Sequence, residues 1–198
     1  MIQAATHLVQ RLGADRPIIA ATLGQSPRAI ATFDDPRATV LERLAALEPD
    51  GPTPSGAEPP HVVAGLAAAA SVLQATESLF STVVMLSGAP GVDAPAAAGN
   101  DPIAAIVRSG ATIHAIVNQA GGAGGVAELR RLAAQTRGEL TLVYSAASYQ
   151  AAVDRLADRL SSELLIEYIS PAGSKATDVK VGIRIPGARV RGLGVAPR

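Results

Sequence analysis

The chain holds 198 residues, with 17 Lys and Arg set against 17 Asp and Glu, for a formal net charge of zero. That balance excludes nucleic acid as a general partner, because phosphate contacts require an excess of basic side chains. Cysteine is absent, which excludes disulfides and thiolate metal sites and fits a reducing compartment.

Residues Met1–Leu12 place Ile2, Ala5, Leu8, Val9 and Leu12 at near-helical spacing, with Gly13 as the expected C-cap. Pro17–Leu23 and Arg28–Phe33 read as two strands, and the four residues between them predict an antiparallel pair. Asp35-Pro36 predicts an N-cap and first-turn proline for a helix carrying Val40, Leu41, Leu44 and Leu47 on one stripe. Pro49, Pro52, Pro54, Pro59 and Pro60 make Glu48–Pro60 a loop. A nearly uncharged helix is expected from Val62 to Ser78. Its apolar run, Val62–Leu73, is too short and too rich in Ala to cross a membrane, and the N-terminus lacks the basic start and apolar middle of a signal peptide.

Ser81–Ser87 is an apolar and β-branched run bounded by turn formers, the pattern of a strand buried on both faces of a parallel sheet. It is expected at the centre of that sheet. Asp101-Pro102 predicts a capped helix ending at Gly110, then a strand over Ala111–Val117. Gly121, Gly122, Gly124 and Gly125 lead into a helix with Val126, Leu129 and Leu132 on one face, closed by Gly138. Glu139–Tyr144 reads as the next strand and Ser148 as the cap of a helix burying Val153, Leu156 and Leu160. Three successive strand–helix repeats predict an α/β fold with a doubly wound, mostly parallel sheet. The tail differs: Leu164–Ile169, Val179–Ile185 and Ala188–Leu193 predict a C-terminal antiparallel β extension with one wet face, turned at Pro186-Gly187. Residues 1–162 are thus expected to form the α/β domain and 163–198 an extension packed on it.

This order of elements resembles the von Willebrand factor A-type (VWA) domain, particularly VWA-related bacterial proteins. The resemblance rests on Asp15-Arg16 before a strand and on Thr32-Phe33-Asp34-Asp35 before a helix. It rests also on the Ser81–Ser87 strand, the helix end Leu129–Gly138, and Leu156–Ser162 followed by Leu164–Tyr168. It covers nearly the whole chain and implies a protein-binding domain whose loops act at the carboxyl ends of the strands. The family's metal-ion-dependent adhesion site takes Asp-x-Ser-x-Ser, a Thr and an Asp. Here the Thr position falls at Thr53, the final Asp position is held by Gly88, and the first motif has no counterpart. A hard cation needs carboxylate charge among its oxygen ligands, so the expectation is a metal-silent domain without a cofactor. Asp34 and Asp93 are the carboxylates that could build a weaker Mg²⁺ site in place of Gly88. The candidate protein-binding residues are Thr53, Ser55, Ser87, Gly88, Asp93 and Asn118. Export or a cell-envelope setting is implied by the resemblance alone, and the compartment stays unassigned.

The resemblance also implies a gap. The family's first strand, absent here, lies between the strands resembling Pro17–Leu23 and Ser81–Ser87. Each backbone group left unpaired in a core costs about 1–3 kcal/mol. The neighbours must therefore close together, another strand must fill the slot, or the sequence is a truncated reading of a longer gene. One form of filling is a strand donated by another chain.

Other signals point less far. Gly121–Gly125 sits where a phosphate-binding turn would, which leaves open a small-molecule or nucleotide-binding Rossmann-like module. The spacing is not Gly-x-Gly-x-x-Gly, however, and no Lys-Ser/Thr follows. His7, His61 and His114 show no spacing that would bring them to one metal. Ser87 lacks a Gly-x-Ser-x-Gly elbow, and with no acid, base and nucleophile converging, an enzyme is not expected. Lys175, Lys180, Arg184, Arg189, Arg191 and Arg198 face only Asp178 in the tail. They suit a solvated strand edge that blocks aggregation, or a surface for an acidic protein or anionic membrane.

Overall fold

The computed structural model describes residues 1–23, 28–48, 62–76, 80–88, 102–119, 126–164 and 183–186. In chain order these form α1 (Ile2–Arg11), β1 (Ala20–Thr22), β2 (Arg28–Ala31), α2 (Arg37–Ala45), α3 (Val62–Ala75) and β3 (Thr82–Ser87). There follow α4 (Pro102–Arg108), β4 (Thr112–Asn118), α5 (Val126–Gln135), β5 (Glu139–Val143) and α6 (Ala146–Ser162). The chain divides into two compact units, Met1–Glu163 and Leu164–Arg198. In the second unit only Leu164 and Ile183–Pro186 are described; Ile183–Pro186 makes a bend and turn in which Ile185 is exposed. The rest of the predicted tail strands, and the basic tail residues apart from Arg184, lie outside the described residues.

The first unit contains two sheets. β1 and β2 pair antiparallel, as their short connection predicts, while β3, β4 and β5 form a parallel sheet in that order. The side-chain period of two sends alternate residues of β4 to opposite faces. Ile116 packs with Tyr149, Val153 and Leu156 of α6 and Ala4 and Leu8 of α1. Ile113, Ala115 and Val117 pack with Leu66 of α3, Ile106 of α4 and Leu129 of α5. Helices thus cover both faces of the parallel sheet, the doubly wound arrangement. One expectation fails. β4, whose five inner residues are all buried, is the centre of the sheet, whereas β3 lies at an edge of it among the described residues and fully buries only Met85. The apolar run of β3 reports that helices cover its faces, and a run of this kind does not say how many strands flank it.

Several helix ends depart from simple cap rules. Gly13 is not the C-cap of α1. Leu12 is, in an extended conformation, and the Arg37 guanidinium at the start of α2 takes over the carbonyls there. It donates to the carbonyl oxygens of Val9, Leu12, Gly13 and Arg16, satisfying acceptors that a helix end otherwise leaves to water. Hydrogen bonds from a charged donor are each worth about 1.5–3 kcal/mol, and these are partly exposed. Arg37→Met is accordingly expected to lower stability by about 3 kcal/mol in denaturant melts, with Arg37→Lys recovering only a minor part because one ammonium spans fewer carbonyls.

Asp35 is not the N-cap of α2; that position is Pro36. The Asp35 carboxylate instead accepts from the Thr32 N–H at 2.8 Å, the Thr32 hydroxyl at 3.1 Å and Arg43 at 2.9 Å. The Thr32 amide, more than any other neighbour, holds its pKa below the ordinary value. The cap of α6 is Ser145, whose hydroxyl accepts from the Ser148 amide while Ser148 reaches back to the Ser145 amide, a reciprocal capping box. Ser148 is the other half of that box. The Asp101 cap predicted for α4 lies outside the described residues.

α5 is pinned to β4 at its exit. The buried Thr136 hydroxyl accepts from the Ile113 amide at 3.2 Å and donates back to its own helix, at 2.9 Å to Leu132 O. Arg137 takes the left-handed conformation, φ 63°, and Gly138 then passes directly over the Ile113 carbonyl.

Candidate functional site

In an open α/β sheet the ligand face lies beyond the carboxyl ends of the strands. The register brings those ends together: Ser87 stands opposite Val117, and Asn118 opposite Val143. Ser87, Gly88 and Asn118 therefore share one edge with Gln119, Tyr144 and the Ser145–Ser148 box. Thr53, Ser55 and Asp93 lie outside the described residues, as do Gly121–Gly125.

The edge is held from beneath by Tyr149. Its buried hydroxyl donates to the Ile116 carbonyl at 3.3 Å and accepts from the Ser87 amide. Burial raises its pKa and the Ser87 hydrogen bond opposes this, so the phenol stays neutral. Tyr144, at the end of β5, is 70% exposed, and the carboxamide oxygen of Gln119 is buried without a hydrogen-bond partner. Neither Gln119 nor Tyr144 was singled out by motif, yet Tyr144 is the last residue of a predicted strand and Gln119 lies two residues beyond another, so both were findable by the carboxyl-end rule.

No charged side chain occurs in Leu86–Gly88, Val117–Gln119 or Val143–Gln150. Ser87 offers a hydroxyl and Asn118 and Gln119 carboxamides. Gly88 offers no side-chain donor, and a Cβ built there would meet the flexible end of Met1, with Cε at 3.1 Å. Among the described residues this neutral donor set does not fit a hard divalent cation, and no cluster of three or more His, Asp or Glu could hold a metal.

The titratable groups elsewhere do not converge on this edge. His7 of α1 meets Asp154 of α6 at 2.7 Å, and Arg11 reaches Asp154 and Asp158. The His7 hydrogen bond, more than the nearby charges, holds the Asp154 pKa below its ordinary value. This surface network ties α1 to α6. His114 is buried in β4, and His61 lies outside the described residues.

No family model matches the chain, and no curated protein matches it. A solved structure described as von Willebrand factor type A, from Catenulispora acidiphila, superposes with a TM-score of 0.61 and 15% identity. The match covers 81% of this chain and 38% of that one. The fold is VWA-like. An uncharacterized membrane spanning protein from Vibrio fischeri also aligns, at TM-score 0.30 and 20% identity over 80% of this chain and 82% of its own. So loose a superposition carries no weight. Among the described residues of this VWA-like chain, no helix is long and apolar enough to cross a membrane.

Proposed function

We propose that this is a non-catalytic protein-interaction or scaffolding domain of VWA type, which recognises its partner at the carboxyl-end edge without a metal ion or other cofactor. The observation that supports this reading is the neutral character of the edge formed by Ser87, Gly88, Asn118 and Gln119. With no carboxylate among the described residues of that edge, recognition rests on shape, on hydroxyl and carboxamide hydrogen bonds, and on the exposed ring of Tyr144. The balanced charge of the chain favours a protein over a nucleic acid as partner.

Thermal unfolding of the full chain tests the metal-free reading. A ligand present at 100 times its Kd stabilises by about 2.7 kcal/mol, or roughly 5–10 °C for a domain of this size. Millimolar Mg²⁺, Mn²⁺ and Ca²⁺ are each expected to move Tm by less than about 1 °C. A rise of several degrees, removed by Thr53→Ala with Asp93→Asn, would overturn the proposal.

A further inference from the structure

His114 combines deep burial with two ring nitrogens that have no hydrogen-bond partner. It lies two residues before Ile116 on β4, so both side chains leave the same face of the sheet, the face covered by α1 and α6. Its register partners are Val84 of β3 and Glu139 of β5. Val84 packs there with Leu8 and Leu12 of the first helix region and with Leu156 and Leu160 of α6. The charged groups on this side are few. Arg159 of α6 donates to Glu139 at 2.6 Å and approaches Glu163 at 4.0 Å, and Arg16 donates to the Leu160 carbonyl. From α1, His7 and Arg11 engage Asp154 and Asp158 of α6. β3 brings only Thr82 and Val84 to this face, and neither is charged.

One helix joins the surroundings of His114 to the candidate edge. α6 carries Arg159 at the amino end of β5. About 15 Å away along the same helix it carries Tyr149, whose phenol bonds to the Ile116 carbonyl and the Ser87 amide. The Ser145–Ser148 box begins that helix at the edge. Strands flank β4 on both sides, so water reaches the His114 ring only where the helical cover stands off the sheet. An imidazolium therefore favours the uncovered form, since a buried charge without a partner is costly.

We propose that His114 is a pH switch for the carboxyl-end edge, acting through the docking of α6. On acidification α6 lifts from β4, Tyr149 leaves Ser87 and Ile116, and the edge loses the shape in which it recognises a partner. The inference rests on the reading of that edge as protein-binding and assigns its regulation. With a pKa of about 4 when covered and 6.5 when open, His114 favours the open form about twentyfold more at pH 5 than at pH 7.

The test is amide exchange of the full chain in sub-denaturing urea at pH 7 and pH 5, corrected for intrinsic rates. The α6 amides from Ser148 to Leu160 should open about twentyfold more often at pH 5, because a helix of this length is marginal once detached. Their urea dependence should be less than about half that of global unfolding, while Leu132 and Ala133 of α5 keep the full dependence. His114→Leu should abolish the rise. Arg159→Gln should move it to higher pH and Glu139→Gln to lower pH, since the guanidinium opposes the imidazolium and the carboxylate favours it. His7→Gln should leave it in place. A rise that survives His114→Leu, or that neither charge variant moves, would overturn the switch. So would a urea dependence in α6 equal to that of α5. Unchanged protection of Ser148 and Tyr149 at pH 5 would overturn the coupling to the edge. A chain that binds Mg²⁺ yet still releases α6 at pH 5 would refute the metal-free reading and keep the switch, so the two proposals fail separately.

Discussion

Between pH 6.5 and 4 the chain is expected to lose about 3 kcal/mol of stability through one residue, His114. Its side chain is 2% exposed within β4, and neither ring nitrogen has a hydrogen-bond partner. Burial is the main reason its pKa falls from 6.5 to about 4; the Arg159 guanidinium lowers it further, and Glu139 opposes both. A histidine whose pKa is depressed on folding contributes in full above its ordinary pKa. That contribution drains away as pH falls from 6.5 through about 4, because the unfolded chain takes up the proton first. Asp35 and Asp154 are held below the ordinary carboxylate value of 3.8, so their share is lost only in more acid solution. The two windows separate in a series of urea melts against pH. His114→Leu fills nearly the same space without a proton or an unpaired nitrogen. It should abolish the upper window and raise stability at pH 7 by about 1–3 kcal/mol. An unchanged pH profile in His114→Leu would contradict this account of β4.

The second large effect is steric. At Gly138 a Cβ would lie 1.7 Å from the Ile113 carbonyl oxygen and 2.4 Å from its carbon. Both obstructing atoms are backbone, so no rotamer change relieves the clash, and the Thr136–Ile113 hydrogen bond beside it resists displacement. Gly138→Ala should destabilise by more than about 3 kcal/mol, at the upper end of overpacking costs, and lower Tm by about 10 °C. Arg137, one residue earlier, holds the left-handed φ, so Arg137→Gly should change stability by no more than about 1 kcal/mol. A tolerant Gly138→Ala would mean that β4 and the exit of α5 are not in contact.

Local pattern revealed most of the elements. Helical spacing in α1, α2, α5 and α6 and the turn at Gly110, φ 72°, follow from neighbours a few residues apart. What stayed hidden depends on distant partners. The sequence of β3 is the same whether one strand or two flank it. The work of Arg37 depends on a loop more than twenty residues earlier, and no spacing signals it. Gly138 reads as a helix stop, although its indispensable feature is a close approach to a strand 25 residues upstream. At the candidate edge, Ser87, Gly88 and Asn118 were reachable because the carboxyl ends of parallel strands must converge. The buried support from Tyr149 was not, since an aromatic inside an amphipathic helix looks like any other core residue.

Amide hydrogen exchange across β3 and β4, in the chain by itself, bears most directly on the claim that β4 is the centre of the parallel sheet and β3 its edge among the described strands. The Thr112 amide donates to the Ser81 carbonyl at 2.9 Å, and in a parallel ladder that start turns the amides of Val83 and Met85 toward β4 and those of Val84 and Leu86 away from it. Val83, Met85 and the inner residues of β4 should exchange slowly, with Val84 and Leu86 faster by at least about 100-fold, a difference of roughly 2.7 kcal/mol in protection. Protection of Val84 and Leu86 equal to that of Ile116 would show that the edge is already paired.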